Sequence, residues 1–344
     1  MCTTMPSCPK RKKKNKRSLY AVRAEALSSA RFLLKRMMYF SIVIPYVLWM
    51  LAYMLTGFVS VKAGWAETPH ARSLSGLLIY VCGPAMFINA FQRMSYDPAQ
   101  FRSIVLFFLV TLAIQAAVIG ILCLLLRKRF DDARYRILSI ATVLGNVGFL
   151  GLPLVTALFP DQPIVACYST VYALSMNLVV FTLGVFLLTR DRRYMSLKAA
   201  VLNPTSLTIL FSLPFYLLDI HLPEAILDNL ALLGRMSTPM CMFVLGMRLA
   251  AVDLKGLLTQ PFSYIGSLMK LIAYPLAAYL MVRFLPGLDE TFKACVLVLS
   301  AAPSGAIILS LAELHRREQE NAASVLLMST LLCVITIPLV MLIL

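Results

Sequence analysis

The sequence predicts an all-α membrane protein with ten transmembrane helices, built as two inverted five-helix repeats in which helices 4 and 9 are broken and cross. Three observations predict it. Of 344 residues, 60% are hydrophobic and only 14% charged, with a mean hydropathy of +0.81, whereas soluble domains average about 45–50% apolar and about 25% charged. Ten apolar runs are each long enough for the roughly 20 residues that a helix needs to cross a bilayer core. Glycine and proline interruptions recur at matching places in the two halves. This composition excludes collagen-like, disordered and disulfide-stapled secreted chains.

Taken in order, residues 1–36 form a basic tail, expected to be disordered. It holds 11 of the 32 Lys and Arg, mostly in residues 10–17, and a single acid, Glu25. Much of the net charge of +16 therefore has a local source, and no nucleic-acid partner is expected. No apolar segment with a small-residue cleavage site follows, so the tail is not a secretory signal. It reads as a solvated tail, as an anionic-lipid contact, or as residues upstream of a start at Met37 or Met38. The first repeat, 37–190, holds spans at about 38–61, 73–92, 101–126, 135–159 and 163–189. Span two contains GPAMFINAF (83–91) and span four GNVGFLGLPL (145–154). A cytoplasmic linker, 191–202, leads to the second repeat, 203–344, with spans at about 204–221, 226–249, 261–284, 290–312 and 322–344. Here span seven contains TPMCMFVLG (238–246) and span nine AAPSGAIILS (301–310). No stretch remains for a soluble domain, and no phosphate-binding glycine loop ending in Lys-Ser/Thr occurs, so the chain carries no ATPase of its own.

Orientation follows from the short loops, because cytoplasmic loops are enriched in Lys and Arg. One set of loops holds fifteen of these residues, Arg248 among them, and the opposite set holds four. The basic set is assigned to the cytoplasm of a protein in the cytoplasmic membrane, which places both ends of the helical body outside. The basic tail argues the other way, but it is one segment against nine internal loops.

The repeat is visible in the prolines. Pro84 and Pro153 in the first half are matched by Pro239 and Pro303 in the second, at a nearly equal separation along the chain. Five spans per half is an odd number, so the second half is inverted. Inverted repeats with interrupted helices at matching positions point to a secondary transporter and to its binding site. Glycine weakens a helix and proline removes a donor. At membrane depth such backbone is tolerated only against protein or a water-filled cavity. Two half-helix N-termini with free N–H groups suit an anion. The candidate substrate-binding residues are therefore Asn146, Gly148, Gly151 and Pro153 in span four and Pro303, Ser304 and Gly305 in span nine. Arg235 and Lys270 join them as intramembrane cations, since ionisable residues at that depth are rare and functional by default. Each of the two either holds a carboxylate, or instead snorkels or neutralises a broken-helix carbonyl end.

These motifs resemble those of the auxin efflux carrier family, over about residues 38–344. The most specific match is GNVGFLGLPL (145–154), joined by NPTSLTIL (203–210), the stretch from Pro239 through LGMRL, AAPSGAIILSLAEL (301–314) and ITIPLV (335–340). The resemblance implies ten helices in two inverted repeats, a crossover in spans four and nine, transport of organic anions, an elevator-like motion and a possible homodimer. Asn146 and Pro153 fall on the crossover asparagine and proline, and Pro303 on the second crossover proline. Many relatives carry an asparagine four residues after that proline, where this chain has Ile307.

Other classes fare less well. Eight cysteines form no CxxC or Cys/His spacing, and no cofactor or metal is expected. The three histidines lie near span ends, and no carboxylate lies mid-span, so an intramembrane enzyme lacks its base and nucleophile pair. DDARYR (131–136) reads as a solvated, salt-linked turn. The expected function is secondary transport of a small organic anion by alternating access. The alternatives are an anion channel or a membrane-embedded sensor of the same fold.

Overall fold

The computed structural model describes the backbone of residues 11–344 and the side chains of 37–344; the basic tail expected over residues 1–36 lies outside the fully described part. The chain is helical. In order it forms α1 (Arg11–Lys62), α2 (His70–Leu77), α3 (Gly83–Gln92), α4 (Pro98–Leu125), α5 (Ala133–Val143), α6 (Leu152–Leu158), α7 (Ile164–Val179), α8 (Val185–Thr189), α9 (Leu197–Leu202), α10 (Pro204–Leu217), α11 (Glu224–Arg235), α12 (Ser237–Ala250), α13 (Leu254–Thr259), α14 (Pro261–Leu268), α15 (Tyr274–Arg283), α16 (Glu290–Ser300), α17 (Ile307–Leu314) and α18 (Gln319–Met341). Among the described residues there is no strand, only one isolated antiparallel bridge, between Gly145 and Ser304.

Among the described residues, seven helical stretches are long and apolar enough to cross a membrane: Met37–Lys62, His70–Gln92, Pro98–Leu125, Ile164–Thr189, Glu224–Ala250, Pro261–Arg283 and Gln319–Met341. An eighth is formed if Arg192–Leu202 and Pro204–Leu217, bent by 43°, count as one span. The two remaining apolar runs of the sequence, about 135–159 and 290–312, are not continuous helices. Each breaks in the middle, α5 from α6 and α16 from α17.

The local sequence explains the starts and irregularities. Pro98 and Pro204 sit in first turns, where a missing N–H costs nothing, and Asp97 and Asn203 cap them by accepting from Ala99 N–H and Ser206 N–H. Among the described residues, four single π-turns interrupt the longer helices. Those at Leu78–Cys82, Val147–Gly151 and Met269–Ala273 are each followed two residues later by a proline: Pro84, Pro153 and Pro275. Proline has no N–H to give and crowds the preceding carbonyls, and a widened turn absorbs that mismatch. The fourth π-turn, Val180–Gly184, ends on glycine instead. The DDARYR turn is salt-linked as the sequence suggests. Arg134 pairs with Asp132 at 2.7 Å and Arg190 with Asp131 at 2.8 Å. The Arg134 guanidinium and N–H hold the Asp132 carboxyl below its ordinary range.

Helix α12 lies along α1, and two glycines bring their backbones together. A Cβ on Gly57 would overlap the Phe243 carbonyl oxygen, and one on Gly246 would overlap that of Met54. Such close approach is how helices associate where lipid removes the hydrophobic drive. Polar contacts add to it deeper in the bundle. Gln115 on α4 donates to Ser175 on α7 (2.9 Å), and the Tyr172 and Tyr274 hydroxyls share a hydrogen bond of 2.6 Å.

Candidate functional site: a helix crossover between two cavities

The two broken runs meet. Helix α5 ends at Val143, after which Leu144 is extended (φ −74°, ψ 115°). Helix α16 ends at Ser300. The two unwound segments then pair with each other. Asn146 N–H donates to the Pro303 carbonyl at 2.7 Å, and Gly305 N–H to the Leu144 carbonyl at 3.3 Å. Side chains satisfy further groups, with Ser304 N–H donating to Ser329 Oγ (3.1 Å) and Gly145 N–H meeting Met176 Sδ (3.3 Å). Backbone freed from a helix thus finds partners in the other broken helix, as burial requires. Gly305 is needed for space, because a Cβ there would stand 2.9 Å from the Gly145 carbonyl oxygen.

The residues singled out in the sequence separate into three places. Asn146, Gly148 and Gly305 line a cavity of about 280 Å³ whose lining also includes Ser75, Asn203, Arg248 and Ser310, close in sequence to the Lys/Arg-rich loops. Pro153 and Arg235 line a different, wider cavity of about 960 Å³ whose lining includes Arg93, Pro160 and Asp161, in or beside loops of the opposite set. Gly151, Pro303, Ser304 and Lys270 belong to the packing of the crossover. A Cβ on Gly151 would stand 2.9 Å from Leu299, Pro303 lends its carbonyl to Asn146, and Ser304 is fully buried. Lys270 has no exposed surface. Its Nζ donates to the Ser300 carbonyl at 3.1 Å, lies 4.6 Å from the centre of the Tyr274 ring, and stands 3.1 Å from where a Gly145 Cβ would be. The ammonium faces the carbonyl end of α16, where the helix dipole is negative.

The N–H groups expected to face an anion are mostly taken. Gly151 N–H donates to the Asn146 carbonyl (3.1 Å), and those of Ser304 and Gly305 have the partners given above. The side chain of Asn146 is less committed. It is 7% exposed, and among the described residues its Nδ2 makes only a long contact, 3.4 Å, to Cys241 Sγ. The same cavity carries three polar groups that sequence reasoning misses. Asn177 donates to the Asn203 side chain (3.2 Å), and Arg248 stands at the mouth. Asn177, inside an apolar run, is a visible signal. Arg248 is hidden among the loop charges.

A thin septum separates the cavities. Phe149, in the middle of the π-turn Val147–Gly151, packs with Met86, Phe87 and Leu152. The glycines let it close. Cβ atoms on Gly83 and Gly148 would meet the Phe149 and Phe87 rings at 3.4 and 3.1 Å, and one on Gly234 would meet the Met86 backbone at 3.1 Å. Thr238 Oγ1 donates to the Phe149 carbonyl, which ties the septum to α12.

Residues 42–341 match the profile of a family described as membrane transport protein. An uncharacterized transporter of Methanocaldococcus jannaschii is similar, with 26% identity over 307 residues that cover 85% of this chain and 96% of the relative.

Proposed function

The chain belongs to the membrane transport protein family, and from that premise we propose that it is a secondary carrier that moves a small organic anion across the cytoplasmic membrane by alternating access. One observation carries the reading. Two cavities enter from opposite ends of the bundle and stop at the same septum beside the crossover. A carrier needs a site that one side reaches at a time, and moving the Phe149 septum and the crossover past α3 and α12 exchanges one access route for the other.

In this reading the two broken runs are discontinuous spans and the bent pair is one span. Together with the seven continuous helices they make ten, in two inverted repeats of five. The Lys/Arg-rich end faces the cytoplasm. The smaller cavity, at the crossover asparagine, is then the inward one, and the wider cavity the outward one. Charge supports an anionic cargo. The inward cavity has one charged lining residue among those described, an arginine, and the outward one has Arg93 and Arg235 against Asp161. Asn146 supplies the hydrogen bond at the crossover, and Lys270 neutralises the carbonyl end behind it.

The test has two steps. A thermal-shift screen of mono- and dicarboxylates finds stabilising compounds, since a ligand that binds only the folded state raises its melting point. Proteoliposome flux of the hits then gives the outcome. A carrier shows saturable uptake that is stimulated by the same carboxylate on the far side. Non-saturating flux without that stimulation would replace the carrier by a channel.

A further inference from the structure

The inward cavity contains amides and apolar side chains, and among the described residues Arg248 is its single charged lining group. The guanidinium sits in the last turn of α12, is only 25% exposed, and is poorly matched. Its Nη1 lies 3.6 Å from the Glu313 carboxylate on α17, beyond hydrogen-bond length. Its Nε is buried and hydrogen-bonds to no group among the described residues. Guanidinium presents a fork that binds a carboxylate by two parallel hydrogen bonds at about 2.7–2.9 Å, and this pair uses none of it. A neighbouring groove of about 820 Å³ is lined by Arg248 and Glu313 together with Asp253 and Glu320, but among the described residues only Glu313 comes within ion-pair distance of Arg248.

We propose that Arg248 meets the negative charge of the cargo as it enters from the inward side, ahead of Asn146 at the crossover. Glu313 is its resident counter-ion, which the incoming carboxylate displaces. The inference rests on the carrier reading and deepens it. One carboxylate replaces another, so no bond breaks and no proton moves. A single cation specifies a monoanion, and Phe87, Phe149, Phe181 and Leu245 around the cavity specify an apolar body.

The test uses the full-length protein with Ser310→Cys, a position that lines the inward cavity, and the native protein as the blank. The readout is the ratio of labelling rates for an anionic (ethylsulfonate) and a cationic (ethyltrimethylammonium) methanethiosulfonate. Arg248→Gln is expected to lower this ratio about five- to tenfold, and Glu313→Gln to raise it about two- to fivefold. The double variant is expected to match Arg248→Gln, because without Arg248 there is nothing for Glu313 to mask. Arg248→Lys, which keeps the charge and loses the fork, is expected to fall between, which covers the case in which Arg248→Gln does not fold. Hexanoate is expected to slow labelling more than succinate. A ratio unmoved by Glu313→Gln, or a double variant that stays above Arg248→Gln, would overturn the assignment. These rates need no turnover. A chain that shows the expected ratios but no carboxylate counterflow would lose the carrier reading alone, and one with counterflow but unmoved ratios would lose only this assignment.

Discussion

Asn146→Ala is expected to weaken binding of the transported anion about ten- to a hundredfold while the protein inserts, purifies and melts as the parent does. A hydrogen bond to a charged group is worth about 1.5–3 kcal/mol, and each 1.4 kcal/mol is about a factor of ten. The fold does not depend on this side chain, because the backbone of Asn146 makes the structural contacts. Its N–H holds Pro303, and its carbonyl takes the Leu150 and Gly151 N–H groups at 3.1 Å. The side chain gives up only the 3.4 Å contact to Cys241. Asn146→Asp, which places a carboxylate where the anion is held, is expected to lose more. Binding titrations on purified protein check both. Parent affinity in Asn146→Ala would move the site away from the crossover.

Gly246→Val is expected to produce the largest loss of stability of any single change considered. The added Cβ would overlap the Met54 carbonyl oxygen and would stand 2.8 Å from its carbon and 2.9 Å from Phe58 N. All of these are backbone atoms of α1, so no side chain can rotate away, and α1 and α12 must part along their shared face. Overpacking a tight contact costs about 1–3 kcal/mol, and more where backbone meets backbone. Gly246 has a helical φ, so the requirement is space and not a left-handed conformation. Gly120 is the control. It lies in α4 with nothing within 4 Å of an added Cβ, and Gly120→Ala is expected to leave stability unchanged or to raise it, alanine being the better helix former. Thermal melts of the monodisperse fraction compare the two. Equal melting of Gly246→Val and the parent would contradict the α1–α12 packing.

The crossover is legible in the sequence because its chemistry is local. Gly145, Gly148, Gly151 and Pro153 crowd into one short stretch, and Pro303, Ser304 and Gly305 are consecutive. Neither set can make an ordinary helix, and the sequence shows that directly. What those residues do with their freed backbone is not legible. The pairing of residues 144–146 with 303–305 joins one half of the chain to the other, and it consumes N–H groups that the sequence leaves open for an anion. Lys270 shows the same limit. Its depth marks it as unusual, but only the fold shows that it faces Ser300. Arg248 escapes for a different reason. Counting loop charges to orient the chain treats every arginine near a span end as solvated, whereas α12 carries this one into the cavity mouth.

The central claim is that one site is reached from two sides in turn, and sided labelling tests it most directly. Asn89 lines the outward cavity and Ser310 the inward one. In intact cells an impermeant thiol reagent is expected to modify Asn89→Cys, and to reach Ser310→Cys only when membranes are inverted. A carboxylate that stabilises the protein is expected to change the two rates in opposite directions. Modification of Ser310→Cys from outside intact cells, or two rates that rise and fall together, would contradict the account.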